Sequence, residues 1–292
     1  MPLADLAQRV ARANRRRANG ISYRRPPQFR RPISQPCTFE QVRSPEYRAW
    51  CERLGIPSLT HRKLWEWCYI LQALTVAGMA GPRRRGVGFG VGNEPITAYL
   101  AAQGCALLAT DLPSTASAAV GWSATGQHAS RLADLNAAGL CDDDQFRARV
   151  DFREMDMNAI ADGVEGFDFA WSSCAMEHLG DLDAGLRFLD RQLRCLVPGG
   201  VGVHTTEFNV SSDDATIERG HTVLYRRCDL EALVEHMRAA GHDMRITFAT
   251  GAAPEDLHVD TEPFTEVHLR TATEGFAHTS FGLVIRRGLR PA

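Results

Sequence analysis

The feature that most constrains the fold is an alternation of strand-like and helix-like segments that begins after Gly81-Pro82. Short apolar stretches bounded by turn residues predict strands at Arg85–Phe89, Ala106–Asp111, Val150–Met155, Phe167–Ser172, Val201–Thr206, Met244–Thr250 and Ser280–Ile285. Helices are predicted between them at Glu94–Gln103, Leu182–Leu196 and Leu230–Ala240. Asn93, Asp181 and Asp229 stand where they can cap these helices. This order predicts an α/β fold in which helices cover both faces of a mostly parallel sheet.

The first 80 residues differ in composition from the rest of the chain. Residues 1–45 are rich in arginine, proline and polar residues and predict a basic, flexible arm. Residues 46–80 predict a helical extension, and residues 81–292 the main domain. The extension has apolar residues at helical spacing, namely Leu64, Trp67, Cys68, Leu71, Leu74 and Thr75.

The charge of the chain is unevenly distributed. Residues 1–31 contain nine arginines and one acidic residue, so they carry +8, whereas the remainder carries −10 and the whole chain −2. A stretch of this kind is typical of a solvated tail, and it can also bind nucleic acid or an anionic surface. A transit peptide is the least favoured interpretation, because such peptides are usually rich in serine and residues 1–20 contain none.

Cysteine spacing and hydropathy bear on the compartment. The eight cysteines are scattered and form no CxxC pair, which argues against a zinc ribbon or a redox dithiol and indicates a reducing, cytoplasmic setting. No apolar run approaches the roughly 20 residues that a membrane span needs, so no membrane span is predicted.

The strongest local signal is a glycine-rich loop, Gly86 to Pro95, between a predicted strand and a predicted helix. Glycines let the backbone turn tightly and approach a ligand, and the helix that follows presents free N–H groups. Asp111 ends the next strand about 20 residues later, where an acid can accept both hydroxyls of a ribose. The spacing is GxGxG, and position 93 is asparagine, which favours a mononucleoside cofactor over NAD.

Five segments in order resemble the class I S-adenosylmethionine (SAM)-dependent methyltransferase family, over roughly residues 84–287. They are Gly88–Gly92, Asp111, Asp156-Met157, Phe167–Cys174 and Leu196–Gly200. The resemblance implies a doubly wound, seven-stranded, mostly parallel sheet whose reversed last strand is Ser280–Ile285, with SAM as cofactor. The cofactor-binding residues that it implies are Gly88, Phe89, Gly90, Gly92, Glu94, Asp111, Leu112, Asp156, Met157, Asn158, Ser172 and Ser173.

The chain departs from the family at one position. The family usually has an acid two positions before the first motif glycine, near the amine of the cofactor's methionine, and this chain has Gly86 there. We expect Glu94, or a residue of the N-terminal helices, to take its place.

The segment after the fourth strand predicts the catalytic side chains. Methyl transfer is an in-line displacement at a sulfonium, so the enzyme mainly aligns the acceptor with the methyl group. A hydroxyl acceptor must also lose a proton, and His178 is the candidate general base because histidine titrates near neutral pH. Glu177 is a candidate to orient it, to bind the cofactor or to ligate a metal. The alternative is that His178 only packs or caps a turn.

Two further polar groups are candidates for acceptor contacts. His204, Glu207 and Asn209 lie at the end of the fifth strand, where His204 is equally consistent with a core position. Trp122, Gln127 and His128 lie in the long connection after Asp111, where a structured surface loop is the alternative. Glu207 and Asn209, with His178 or His221, form a weak candidate metal site, but the spacing matches no metal motif and none is predicted.

The function predicted from these features is SAM-dependent O-methylation of a small polar acceptor such as a sugar or glycan. No [DNS]PP[YFW] motif follows the fourth strand, which argues against methylation of exocyclic base amines, and Cys174 follows serine rather than Pro or Thr. The alternatives are an RNA methyltransferase that uses the arginine-rich arm and a SAM-binding protein without methyltransferase activity.

Overall fold

A computed structural model describes residues 20–113, 129 and 131–289. The strands are β1 (Ile21–Ser22), β2 (Gln35–Pro36), β3 (Thr60–His61), β4 (Arg85–Phe89), β5 (Ala106–Asp111), β6 (Val150–Glu154), β7 (Phe167–Ser172), β8 (Leu196–Asn209), β9 (Asp243–Met244), β10 (Ile246–Thr247), β11 (Val267–His268), β12 (Arg270–Thr273) and β13 (Phe276–Arg286). The α-helices are α1 (Phe39–Val42), α2 (Pro45–Leu54), α3 (Arg62–Val76), α4 (Ile96–Ala102), α5 (Asp143–Arg149), α6 (Leu182–Cys195), α7 (Arg227–Ala239) and α8 (Pro254–Leu257).

The central sheet has the order β6-β5-β4-β7-β8-β13. The first five strands are parallel, and β13 runs antiparallel to β8 along nine residue pairs, from His278 opposite Asn209 to Arg286 opposite Val201. The predicted fold class is therefore confirmed, including the reversed last strand. The order reverses between β4 and β7, and ligands of open α/β sheets bind at such a switch point.

The far edge of β13 differs from the prediction. Three short strands, β2, β9 and β12, pair with it, so the sheet in the described residues has nine strands rather than seven. The predicted strand Met244–Thr250 is split in two, because β9 pairs with β13 whereas β10 pairs with β1. The second half of the predicted strand therefore forms its backbone hydrogen bonds with the N-terminal strand β1 and not with β13.

The helix caps agree with the prediction at one of three positions. Asp181 accepts a hydrogen bond from the backbone N–H of Ala184 at 2.7 Å and caps α6. Asn93 does not cap α4, which starts after Pro95. Asp229 lies inside the first turn of α7, where it accepts from the N–H of Arg226 at 2.8 Å.

Residues 20–45, which we predicted as part of a flexible arm, pack against the domain instead. Ile21 and Phe29 are buried, and the ring of Phe29 contacts that of Tyr47 edge to face at 5.8 Å. Ser34 joins the edge of the sheet, where its hydroxyl accepts from the N–H of Val284 at 2.9 Å. Burial of the apolar residues between the arginines therefore holds the segment against the domain, although its overall composition is polar. Residues 1–19 lie outside the described residues.

Helix α3 of the predicted extension lies against the sheet and shares its core. Trp65, Tyr69 and Leu71 are fully buried, and Gly282 of β13 leaves room for the ring of Tyr69, 2.1 Å from where a Cβ would stand. The predicted apolar face is only partly right, because Leu64 and Trp67 are half-buried. Nearly the whole circumference of α3 is covered, so the helix has no single apolar stripe.

All eight cysteines are free thiols, and seven of them are buried. Among the helices of the described residues, none has the length and apolar content that a bilayer crossing requires.

Phe29→Ala is expected to lower the free energy of unfolding by about 3–5 kcal/mol, the cost of emptying a buried aromatic site. Arg24→Ala, an exposed change in the same segment, is expected to stay within about 0.5 kcal/mol of the unchanged protein. Urea unfolding measures both. Equal stabilities of the two variants would show that residues 20–31 are not part of the core.

Candidate functional site

A cavity of about 550 Å³ lies at the carboxyl ends of β4, β5, β6 and β7. Its volume falls in the range of small-molecule sites. Its lining comes from four segments that follow these strands and from the start of α3. The lining residues are His61, Lys63, Leu64, Trp67, Gly90, Gly92, Asn93, Glu94, Asp111, Leu112, Met155, Asp156, Met157, Asn158, Ser173, Cys174, Ala175, His178 and Leu179.

The glycine-rich loop forms the side of the cavity after β4. Gly90 and Gly92 have φ of 58° and 50°, a backbone conformation that glycine adopts without strain. Gly88 lies below the loop, where a Cβ would stand 2.3 Å from the ring of Trp171. Gly88 therefore leaves room for the packed ring of Trp171, whereas Gly90 and Gly92 form part of the cavity wall.

Asp111 ends β5 at the cavity and is almost fully buried. Its Oδ2 accepts hydrogen bonds from the N–H of Gly92 at 3.1 Å and of Ala129 at 3.3 Å, and its Oδ1 from that of Leu112 at 2.8 Å. The carboxylate thus fixes the glycine loop relative to the next strand.

The segment after β6 forms a third side. Asp156 accepts from the N–H of Asn158 at 2.8 Å, which closes a short 3₁₀ turn over Met157–Ala159. Met157 is buried against the cavity, and the side chain of Asn158 donates to the carbonyl of Leu179 at 3.4 Å. This turn presents one apolar and two polar side chains to the cavity.

The structure brings most of the predicted cofactor residues together at this cavity, and three lie elsewhere. Gly88 and Phe89 are in the interior of the sheet, where Phe89 packs on Phe188. Ser172 is fully buried, and its hydroxyl lies 2.8 Å from Nδ1 of His204. The side chains of a strand alternate between faces, so Ser173, and not Ser172, lines the cavity.

Packing explains why position 86 is glycine and not an acidic residue. A Cβ at Gly86 would stand 2.2 Å from the ring of Phe169 on the neighbouring strand. Glu94 lines the cavity instead, and its Oε2 is buried and has no hydrogen-bond partner among the described residues. Burial raises the pKa of Glu94 to about 8, although Ser173 and Lys63 oppose the shift.

The fourth side of the cavity is formed by residues that the sequence did not single out, although a residue of the N-terminal helices was expected near the methionine end of the cofactor. It consists of His61, Lys63, Leu64 and Trp67, at the start of α3. Trp67 Nε1 is buried without a partner among the described residues, and Lys63 Nζ lies 3.7 Å from Oε2 of Glu66. One signal was present, since Arg62, Lys63 and Glu66 interrupt an otherwise apolar helix.

His178, the candidate general base, lies in a 3₁₀ turn, Met176–His178, and lines the cavity. Its Nδ1 is 2.7 Å from the carbonyl oxygen of His221, so this nitrogen donates the hydrogen bond. Burial lowers the pKa of His178 to about 4, and the positive charge of Lys63 contributes. The ring is therefore neutral at pH 7, with its proton on Nδ1 and its lone pair on Nε2.

Glu177 is fully buried and is not among the residues that line the cavity. Its Oε2 accepts from the hydroxyl of Thr206 at 3.1 Å, and its Oε1 has no partner among the described residues. Burial, and then the charge of Glu207, raise the pKa of Glu177 to about 8. Within the described residues neither carboxyl oxygen is hydrogen-bonded to His178, so the predicted orienting role has no geometric support.

Glu207, a predicted acceptor contact, belongs to a buried ion network outside the cavity. Its Oε1 accepts from Nη1 of Arg62 at 2.5 Å, and its Oε2 lies 2.6 Å from Nδ1 of His278. Burial alone would raise the pKa of Glu207, but Arg62 and the hydrogen bond from His278 lower it well below the usual value. Glu207 therefore carries a negative charge that joins α3 to β8 and β13.

His204 and Asn209 also lie away from the cavity. His204 is fully buried beside Phe188, and burial lowers its pKa to about 3, so it is a neutral core residue. Asn209 accepts from the N–H groups of Ser211 at 2.9 Å and Ser212 at 3.0 Å and thereby holds the loop after β8. Trp122, Gln127 and His128 lie outside the described residues.

Among the described residues, one group of ionisable side chains is close enough to share a metal ion. Ligand atoms of Cys174, Glu177 and Glu207 lie within 4.8 Å of one another, whereas His178 and His221 do not belong to the group. Both oxygens of Glu207 are already hydrogen-bonded to Arg62 and His278. The guanidinium of Arg62 thus occupies the place next to Glu207 that a cation would need.

No protein-family model and no curated protein sequence matches the chain. Several solved structures similar to it are SAM-dependent methyltransferases. A putative sarcosine dimethylglycine methyltransferase from Galdieria sulphuraria is 15% identical with a TM-score of 0.48, over 84% of this chain and 99% of that one. A putative methyltransferase from Bacillus halodurans is 14% identical with a TM-score of 0.46, over 75% and 98%. Phosphoethanolamine N-methyltransferase 2 from Haemonchus contortus, in complex with SAM, is 19% identical with a TM-score of 0.40, over 58% and 36%.

Glu207→Ala is expected to lower the free energy of unfolding at pH 7 by about 3–5 kcal/mol, because Arg62 would remain buried without its partner. The folded state depresses the pKa of Glu207. Its contribution is therefore present above the unfolded-state value of about 4.3 and is lost as the pH falls towards the folded-state value.

Urea unfolding at pH 7 and at about pH 3 measures the difference between the two proteins, which shrinks at the lower pH. Glu52→Gln, an exposed change, serves as the control and is expected to stay within about 0.5 kcal/mol. An equally stable Glu207→Ala variant would place Glu207 outside the structural network.

Proposed function

We propose that this protein is a SAM-dependent methyltransferase. The single observation that carries the proposal is the position of Asp111, a buried carboxylate at the end of β5 that faces the same cavity as the glycine loop. An acid at that place in a doubly wound sheet suits the hydroxyls of a ribose. The absence of a third glycine at position 93 favours a mononucleoside cofactor over a dinucleotide.

The residues that line the cavity fit SAM from end to end. Asp111 and Leu112 would hold the ribose, and Asp156, Met157 and Asn158 the adenine. Gly90, Gly92 and Glu94 lie on the side left for the methionine end. The buried Oε2 of Glu94 has no partner among the described residues. Burial favours the neutral form of this carboxyl, and an ammonium group bound beside it would favour the carboxylate. The bound cofactor would supply an activated methyl group.

The chain's own residues would align the acceptor and take its proton. Ser173, Cys174 and Ala175 follow β7 at the sheet edge, and His178 faces the cavity one turn later. The bond from Nδ1 to the His221 carbonyl leaves the lone pair of His178 on Nε2. A hydroxyl that attacks a methyl group becomes a strongly acidic oxonium, so even a base of low pKa can accept its proton.

We propose that the acceptor is a small polar molecule, with O-methylation of a sugar or glycan as the specific hypothesis. Polar side chains on the acceptor side, His61, Lys63 and His178, support a polar acceptor. The alternative of an RNA acceptor depends on the nine arginines of residues 1–31, five of which lie outside the described residues. The other four, Arg24, Arg25, Arg30 and Arg31, are exposed and do not line the cavity.

Asp111→Ala is expected to weaken binding of S-adenosylhomocysteine by roughly 1.5–3 kcal/mol, about 10- to 150-fold, the cost of losing a charge-assisted acceptor. Calorimetry measures the affinity, with NAD as the ligand that is not expected to bind. Asp151→Ala, an exposed change on the adjacent β6, is the matched control. Thermal unfolding of Asp111→Ala separates lost binding from a disordered glycine loop. Tight binding of NAD in place of S-adenosylhomocysteine would refute the proposed cofactor.

His178→Ala is expected to reduce methyl transfer about 10²-fold or more while leaving the affinity for S-adenosylhomocysteine unchanged. Transfer of label from SAM into a cell extract measures the rate. The neutral ring is the active form and its pKa is about 4, so transfer should stay level from about pH 7 to pH 5 and fall only below that. Full activity of the variant would make His178 structural, and a loss of affinity would make it a cofactor residue.

A further inference from the structure

Two neutral histidines face the cavity from different elements. His61 precedes α3 and belongs to the N-terminal wall, whereas His178 follows β7 on the wall formed by the sheet edge. Burial, and then the neighbouring His268 and the charge of Arg62, lower the pKa of His61 to about 4. At pH 7 each ring therefore carries a single proton, and the hydrogen bond made by Nδ1 decides which nitrogen holds it.

The backbone gives the two rings opposite tautomers. Nδ1 of His61 accepts a hydrogen bond from the backbone N–H of Lys63 at 3.1 Å, so in the neutral ring the proton lies on Nε2. Nδ1 of His178 faces a carbonyl oxygen, which can only accept, so there the proton lies on Nδ1. His61 can thus donate a hydrogen bond from Nε2, and His178 can receive one at Nε2.

A buried support holds the ring of His61 in place. Strands β3 and β11 pair in parallel and bring His61 opposite His268, and the two rings stack at 4.6 Å. His268 Nδ1 lies 2.7 Å from Oδ2 of Asp260, and Oδ1 of the same carboxylate accepts from the N–H of Thr265 at 3.0 Å. Asp260 is fully buried. The last third of the chain therefore fixes the orientation of a residue in the N-terminal wall.

We propose that His61 donates a hydrogen bond from Nε2 to the methyl acceptor, which therefore presents an accepting oxygen beside the hydroxyl that is methylated. This inference rests on the proposed methyltransferase function. Vicinal diols and hydroxy acids have such a pair of groups. The ammonium of Lys63 lies on the same wall and favours an oxygen with negative charge. An acceptor without that oxygen would leave the Nε2–H of His61 unpaired, which a polar site penalises.

The tautomers can be measured without knowing the acceptor. Long-range ¹H–¹⁵N correlation spectra of the full-length protein at pH 7 distinguish a protonated Nε2 from a protonated Nδ1, and His61→Phe and His178→Phe assign the signals. We expect the Nε2–H form for His61 and the Nδ1–H form for His178. The Nδ1–H form, or a doubly protonated ring, at His61 would overturn the proposal.

Transfer assays test the role of the donor. With labelled SAM and cell extract, His61→Phe is expected to reduce methyl transfer about 10-fold or more with unchanged affinity for S-adenosylhomocysteine. His61→Gln, which keeps an N–H donor, should be several-fold more active than His61→Phe. His236→Phe, at an exposed histidine that contacts Asp190 on the surface, is the matched control.

The outcomes separate the two proposals. The role of His61 would be overturned if His61→Phe were as active as the unchanged protein. It would also be overturned if the phenylalanine and glutamine variants lost equal activity, or if His61→Phe lost affinity for S-adenosylhomocysteine. Failure of the unchanged protein to bind S-adenosylhomocysteine would instead refute the proposed function. Because His61 also caps α3, His61→Asp, which retains a good capping residue and has no N–H donor, replaces the phenylalanine variant if that protein unfolds. It is then expected to show the same loss of transfer.

Discussion

The ion pair between Arg62 and Glu207 is the interaction on which the site depends, because it ties the N-terminal helix to the centre of the sheet. Arg62 Nη1 also lies 3.2 Å from the hydroxyl of Ser280 on the reversed strand. Glu66, one turn along α3, accepts hydroxyl hydrogen bonds from Thr205 at 2.9 Å and Ser280 at 2.5 Å. A buried charge pair costs desolvation and stabilises only when its other hydrogen bonds are satisfied. His278 meets that condition for Glu207, and the hydroxyls of β8 and β13 meet it for Glu66.

The position of α3 in turn determines which side chains line one wall of the cavity. The C-terminal edge of the sheet supplies the glycine loop and the carboxylate of Asp111. The start of α3 supplies the donors on the opposite wall, His61 and Lys63. A separate helical extension would leave the sheet edge open to solvent, whereas the buried network makes the extension one wall of the site.

The sequence predicted the six strands β4, β5, β6, β7, β8 and β13 because hydrophobic periodicity and turn residues are local signals, whereas the reversed direction of the last strand was implied by the resemblance. Asp111 and the glycine loop were singled out for the same reason, since they lie on adjacent strand ends. Contacts between segments that are distant in the chain could not be predicted. No residue near Glu207 in the sequence indicates that its carboxylate forms an ion pair with Arg62. The distinction between Ser172 and Ser173 was available from strand alternation, which places only one of two neighbours on the cavity side.

Hydrogen bonding, more than burial, distinguishes the two carboxyl groups behind the cavity. Glu177 and Glu207 are both buried, and burial raises the pKa of any carboxyl. Glu207 has a guanidinium and an imidazole as partners, and its pKa is lowered. Glu177 has one hydroxyl partner and the negative charge of Glu207 beside it, so its pKa is raised. At neutral pH Glu177 is therefore protonated and Glu207 is negatively charged, beside the guanidinium of Arg62. A second carboxylate at Glu177 would add uncompensated negative charge to a buried site. Protonation of Glu177 thus lets the two carboxyl groups behind the cavity stay close together without repulsion.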